Sequence, residues 1–168
     1  MQAKSTYTDL FRLFGSNYCG AGEKEDQSRT LGIYPGVDNC CRYHDSCPHR
    51  IFSGTKNYHL YNQERWTISS CKCDEAFRSC LTLDGSNKSL FIARLYFNIL
   101  QIPCFDFKIG KICTKWSSKW WWAKCLSEEE TIIAELKPTQ SFNVWLILPI
   151  NGLNFRSIKF NFGILLHS

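Results

Sequence analysis

Apolar positions recur at helical intervals in the middle of this chain, while alternation is confined to its far end. Ile92, Leu95, Tyr96 and Ile99 lie three and four apart, the interval that puts side chains on one helix face, and Lys88 and Arg94 fall on the wet side. Pro103 and Cys104 lie just past the end of that helix. Upstream, Ser69 or Ser70 can cap a helix from about Cys71 to Leu83, and Asp84-Gly85-Ser86-Asn87 breaks it from the next. Earlier still, Pro35-Gly36 reads as a turn, with Asp38 or Asn39 capping a helix that runs through Cys41 and His44 and is limited by Pro48. The pattern therefore predicts three helices.

The stretches between them are punctuated differently. Residues 18–22 read Tyr-Cys-Gly-Ala-Gly, a tight loop in which two glycines allow backbone conformations that larger residues resist. Residues 50–70 show little period and predict an irregular excursion with a short hairpin. From Phe105 to Cys125 the chain is basic and aromatic, a small disulfide-closed lobe with Trp116, Trp120, Trp121 and Trp122 among Lys115, Lys119 and Lys124. Such a cluster suits a membrane interface or the cover of a small core. Before the first loop, Phe11, Leu13 and Phe14 can pack a loosely ordered entry segment. The last stretch, 141–168, is apolar but broken by Pro149, Asn151, Gly152, Asn154, Arg156 and Lys159, which excludes a membrane-spanning helix. Within it Ile158, Phe160 and Phe162 alternate with polar residues as a half-buried strand would.

Composition narrows the setting. A length of 168 residues fits one domain, or one domain with an appendage, and ten cysteines in so short a chain suit an oxidising compartment. Adjacent cysteines, one Cys-x-Cys and scattered singles do not have the paired spacing of a zinc site. No secretory signal is visible, since Lys4, Asp9 and Arg12 interrupt the start, so secretion is inferred from the cysteines. The formal charge of +5 attracts phosphate-bearing partners without choosing between membrane and nucleic acid. No recognition motif places those charges along a nucleic-acid backbone, so no nucleic-acid partner is expected. Asn87-Lys-Ser89 fits a glycosylation acceptor.

The chemistry lies on the helices. Cys40, His44 and Cys47 share one stripe, with Cys41 and Asp45 on the neighbouring one, so flanking cysteines can support a histidine. On the second helix Cys73, Phe77 and Cys80 form a stripe beside Asp74, which can meet His44 across the helix pair. A histidine acting as general base gains from such a carboxylate, and Tyr96 can steady it. A calcium ion wants oxygen ligands, which Tyr18, Gly20 and Gly22 of the loop can supply from their backbone and Asp45 from its carboxylate. His49, His59 and His167 lack such surroundings and receive no role.

These segments, Tyr-Cys-Gly-Ala-Gly, Asp-Asn-Cys-Cys-Arg-Tyr-His-Asp-Ser-Cys-Pro, Cys-Lys-Cys-Asp-Glu-Ala-Phe-Arg-Ser-Cys-Leu and Leu-Tyr-Phe-Asn, resemble the bee-venom-type, group III secreted phospholipases A2. The resemblance covers about Leu13 to Cys125. It implies a mainly α, disulfide-stapled fold on three helices with irregular loops and a small β-hairpin. It divides the chain into a loose segment 1–12, a catalytic domain 13–125 and a divergent tail 126–168. It further implies calcium-dependent hydrolysis of the sn-2 ester of glycerophospholipids at a membrane or micelle surface by a secreted monomer. His44 activates water in that scheme, Asp74 and Tyr96 support it, and the Gly20 amide helps hold the oxyanion. The implied disulfides are Cys19–Cys41, Cys40–Cys80, Cys47–Cys73, Cys71–Cys104 and Cys113–Cys125. Tyr18 stands where the family usually has Trp, residues 23–26 are charged, and the tail is unfamiliar. The alternative is a non-catalytic, receptor-binding protein on the same scaffold.

Overall fold

The structure, a computed structural model, describes residues 15–20, 30–117 and 123–143. Gly22, Trp120, Trp121, Trp122, the entry segment and the apolar tail beyond Asn143 lie outside them.

Helix α1 spans Pro35–Asp45. Pro35 sits in its first turn, where a missing N–H costs nothing because no partner exists there. Neither Asp38 nor Asn39 caps it: the N-cap is Tyr34, without a side-chain bond, and Asp38 is buried inside the first turn. The expected turn at Pro35-Gly36 is thus the start of the helix itself.

Two short ladders follow. Strand β1 (Arg50–Ile51) pairs antiparallel with β4 (Ile68–Ser69), and between them β2 (Lys56–Asn57) pairs with β3 (Leu60–Tyr61). The hairpin turn is made by Tyr58 and His59, both at positive φ. Asn62, 2% exposed, ties the excursion down by donating to the Ile51 and Trp66 carbonyls and accepting from the Glu64 N–H.

Helix α2 spans Cys71–Asp84, with Ser70 as its N-cap accepting from the Cys73 N–H and Gly85 closing it at φ 60°. Ser86 then caps α3, Asn87–Arg94. The third helix departs from the predicted stripe at its end, because Leu95–Leu100 winds as a π-helix. The wider turn changes the phase of the side chains. Ile99 comes out 68% exposed, and Phe97 takes the core position at 1%.

Strand β5 (Cys104–Trp116) pairs antiparallel with β6 (Cys125–Lys137), in register from Cys104 opposite Lys137 to Cys113 opposite Glu128, with an irregularity before Trp116 opposite Cys125. The lobe expected over 105–125 is therefore one arm of a long hairpin, and residues past Cys125 form the other. The chain then returns to the helices, where Phe142, 6% exposed, stacks on Phe97 at 6.2 Å between ring centroids. Asn98 fixes it on both sides, accepting from the Phe142 N–H at 2.6 Å and donating to its carbonyl at 2.9 Å. The Arg78 guanidinium lies 4.0 Å from the Phe97 ring centroid and donates to the Gln140 and Ser141 carbonyls.

Two apolar clusters result. Val37, Cys40, Phe77, Leu81, Ile92, Ala93, Phe97 and Phe142 fill the space between the helices. Ile51, Ile68, Ile102, Phe105 and Ala134 sit at the base of the hairpin. Tyr96 packs against both. All ten cysteines are paired, as Cys19–Cys41, Cys40–Cys80, Cys47–Cys73, Cys71–Cys104 and Cys113–Cys125, the connectivity the resemblance implies. No described helix is long and apolar enough to cross a membrane.

Candidate active site

Helices α1 and α2 are joined by Cys40–Cys80 inside the pair and by Cys47–Cys73 at the end of α1. His44 lies between Cys40 on α1 and Cys47 just past its end, so its backbone is held on both sides. Its Nε2 meets Asp74 Oδ1 at 2.7 Å, with the two side chains only 12% and 7% exposed. Because a carboxylate accepts, that bond assigns the ring proton to Nε2 and leaves the Nδ1 lone pair as the base. No described residue hydrogen-bonds Nδ1.

Aromatic rings fix the plane of the imidazole. Phe77 stacks on it at 4.4 Å and 20°, and Tyr96 meets it edge-on at 5.3 Å. The Tyr96 hydroxyl lies 3.2 Å and 3.4 Å from the two Asp74 oxygens and donates to that carboxylate. Burial first, and then the Asp74 charge, push the Tyr96 hydroxyl well above its ordinary pKa of 10.0, so it stays protonated and keeps donating.

The loop carrying Tyr18 and Gly20 is attached to α1 twice. Cys19–Cys41 is the covalent attachment. The other is Asp38, 0% exposed, which accepts from the backbone N–H groups of Asn17 at 3.0 Å, Tyr18 at 2.8 Å and Gly32 at 2.7 Å, and from the Ser16 hydroxyl. Burial alone would raise this carboxyl, but the Ser16 hydroxyl and the three N–H groups outweigh it and hold the pKa below 3.8. Gly32 is required where the two segments cross: a Cβ there would sit 2.2 Å from the Gly15 carbonyl oxygen.

His44, Asp45, Tyr18, Gly20 and Tyr96 all border one cavity of about 810 Å³. Of the residues singled out in the sequence, His44, Asp74 and Tyr96 are thus in direct contact, and Tyr18, Gly20 and Asp45 share their cavity. Gly22 lies outside the described residues. The donor set, one carboxylate with loop backbone oxygens, has the chemistry of a hard cation such as calcium. The disulfides consume every thiolate that zinc would want.

Sequence reasoning misses five contributors. It puts Phe77 on the correct stripe without matching its ring to His44. It reads Asp38 as a cap. Arg42, Arg50 and Arg65 also line the cavity, and no local pattern singles them out.

Comparison with known proteins agrees with this geometry. The phospholipase A2 family model matches residues 12–108. The bovine group 3 secretory phospholipase A2 is 34% identical over 139 residues, covering 83% of this chain and 27% of the relative. Phospholipase A2 isozymes PA3A/PA3B/PA5 of Heloderma suspectum are 34% identical over 126 residues, covering 75% of this chain and 86% of the relative. The Bombus terrestris phospholipase A2 is 38% identical over 104 residues, covering 60% of this chain and 76% of the relative. The chain thus spans about a quarter of the length of its mammalian relatives and most of the length of the reptile and insect ones. On the family match and on these relatives, the chain belongs to the phospholipase A2 family, on its group III, bee-venom-type branch.

Proposed function

We propose that this chain is a secreted, calcium-dependent phospholipase A2 that hydrolyses the sn-2 ester of glycerophospholipids at a membrane or micelle surface, acting as a monomer. The observation that carries the reading is the His44–Asp74 pair at 2.7 Å, bordering a cavity it shares with Asp45 and the Tyr18–Gly20 loop.

His44 Nδ1 accepts a proton as the water oxygen attacks the ester carbonyl carbon. Asp74 stabilises the imidazolium so formed and prevents the ring from turning, while Tyr96 holds Asp74. The proton then passes from Nδ1 to the departing glyceryl oxygen, giving fatty acid and lysophospholipid. The Gly20 N–H donates to the oxyanion of the tetrahedral intermediate. Calcium, when bound by Asp45 and the backbone carbonyl oxygens of Tyr18, Gly20 and Gly22, supplies the charge that polarises the ester carbonyl.

The test is fatty-acid release from phospholipid vesicles with calcium and with chelator, for the native protein and for His44→Gln. Release should require calcium and fall by about 10²- to 10⁴-fold in the variant, the usual contribution of a general base. Absence of calcium-dependent release by the native protein would refute the proposal. A biological effect that survives in a folded His44→Gln protein would turn the reading to receptor binding.

A further inference from the structure

The π-wound segment Leu95–Leu100 has two sets of partners. Leu95, Tyr96 and Leu100 border the cavity, and the Tyr96 hydroxyl donates to Asp74. Phe97 and Asn98 are engaged elsewhere, Phe97 in the core between the helices and Asn98 with the segment that returns after the long hairpin. A π-helix is rare and is found mostly as a single-turn insertion at functional sites, so the surroundings have to hold its winding. The Asn98 side chain grips both polar groups of the Phe142 backbone, accepting from its N–H at 2.6 Å and donating to its carbonyl at 2.9 Å. The Phe142 ring stacks on Phe97, and Arg78, over the other ring contact of Phe97 at 4.0 Å, donates to the Gln140 and Ser141 carbonyls. From Phe97 the contacts continue without a break, edge-on to Tyr96 at 4.8 Å and to Phe77 at 6.1 Å. Arg78, Phe97, Asn98 and Phe142 are not among the residues that border the cavity, so any part they play in hydrolysis passes through Tyr96.

Resting on the phospholipase A2 reading above, we infer that Asn98 and Phe142 are positioning residues for the hydrolysis: they hold the π-winding of Leu95–Leu100 and, through it, the Tyr96 hydroxyl on Asp74. Two windings are open to this segment, because its side-chain pattern also fits a continuation of α3. Rewinding as an α-helix shifts the phase of the side chains past Arg94. Asn98 then turns away from Phe142, Phe97 leaves the core, and Tyr96 swings off the carboxylate. The two Asn98 bonds and the Phe142 stack exist only in the π-form, so their free energy biases the segment toward it. A remote contact changes a site in this way when it favours one of two discrete arrangements of an element that both share. Residues after the hairpin, far along the chain from His44, thereby become part of the frame of the dyad.

The experiment measures kcat and KM with calcium for dihexanoyl phosphatidylcholine, dispersed below its micelle threshold so that binding to a lipid surface does not enter. The proteins are the native chain, Asn98→Leu, Phe142→Ala, Phe142→Tyr, Tyr96→Phe and the double variant Asn98→Leu/Tyr96→Phe, each assayed where its urea curve shows it fully folded. Asn98→Leu should lower kcat about 5-fold and Phe142→Ala about 10-fold, the scale of one hydrogen bond to a charged group, with KM unchanged. Asn98→Leu keeps the core filled and carries the test if Phe142→Ala does not fold. Phe142→Tyr retains the ring and both backbone bonds and should stay within about 2-fold of the native kcat. Combined with Tyr96→Phe, Asn98→Leu should cost no more than about 2-fold further, because the hydroxyl through which it acts is already gone. A purely structural role would lower the urea midpoint while leaving kcat of the folded protein unchanged, or would multiply in full with Tyr96→Phe, and either result would overturn the inference. A rise in KM at constant kcat would overturn it too, since it would place the segment at the lipid. If the native protein shows no calcium-dependent hydrolysis, the hydrolase reading itself fails and the inference falls with it.

Discussion

Replacing Asp38 by asparagine tests whether the loop that carries Tyr18 and Gly20 is positioned by one buried carboxylate. Asp38 Oδ1 accepts from the Ser16 hydroxyl and the Tyr18 N–H, while Oδ2 accepts from the Gly32 N–H at 2.7 Å. An asparagine that keeps its oxygen toward Tyr18 turns its NH₂ against the Gly32 N–H, so a buried donor is left facing a donor. Orphaning that N–H costs about 1–3 kcal/mol, and converting the remaining charge-assisted bonds to neutral ones weakens each by roughly half. The expected loss is about 3 kcal/mol in urea unfolding with the disulfides intact. The loop stays tethered through Cys19–Cys41 but loses its backbone positioning, so calcium affinity should fall by about 10-fold, equivalent to about 1.4 kcal/mol. The variant should also change the acid limb of stability. The folded pKa of Asp38 lies below the unfolded 3.8, so its contribution is complete above that value and is lost as pH falls through the folded pKa. The substituted amide cannot titrate, and the corresponding part of the acid slope should vanish. A loss under about 1 kcal/mol together with unchanged calcium affinity would show that the disulfide alone sets the loop and would refute the reasoning.

Two further changes test the support around His44 and the reach of the core. Tyr96→Phe removes a hydroxyl that sits 3.2 Å and 3.4 Å from Asp74 but leaves the 2.7 Å His44–Asp74 bond. The rate of phospholipid hydrolysis should therefore fall by about 10-fold at most, and a loss above about 10² would place Tyr96 in the chemistry rather than beside it. Phe142→Ala empties a position stacked on Phe97 and should cost about 3 kcal/mol by chemical unfolding; a change within about 0.5 kcal/mol would mean that the returning segment is not part of the core.

Much of the site is legible in the sequence because it is encoded in local spacing. The i, i+4 relation of Cys40 and His44 and the position of Asp74 beside Cys73 put the two residues on cysteine-bearing helix stripes that can meet, and the resemblance supplies the disulfides that join them. Ser70 and Gly85 likewise mark the ends of α2. What is not legible depends on tertiary partners. Asp38 has the residue type of an N-cap, and only the loop folded over it shows that its acceptors are spent on Ser16, Asn17, Tyr18 and Gly32. The π-helix over Leu95–Leu100 is a shift in backbone bonding, and the side-chain pattern fits an α-helix equally well until Phe97 and Ile99 exchange places. Strand β6 is hidden by its run Glu128-Glu129-Glu130, which looks like a solvated loop, although Lys111 on the paired strand reaches Glu128 at 3.8 Å. Phe142 follows that strand in a polar stretch, and nothing local marks it as a core residue.

The two cross-links between α1 and α2 carry a consequence for the cell that makes the protein. His44 and Asp74 belong to different helices, and the covalent bonds that keep them at 2.7 Å form only when thiols are oxidised. While it is reduced, the chain therefore lacks the staples of the His44–Asp74 pair. Oxidation of the four thiols is thus the step that completes the pair, and its timing is set by the compartment in which the chain folds.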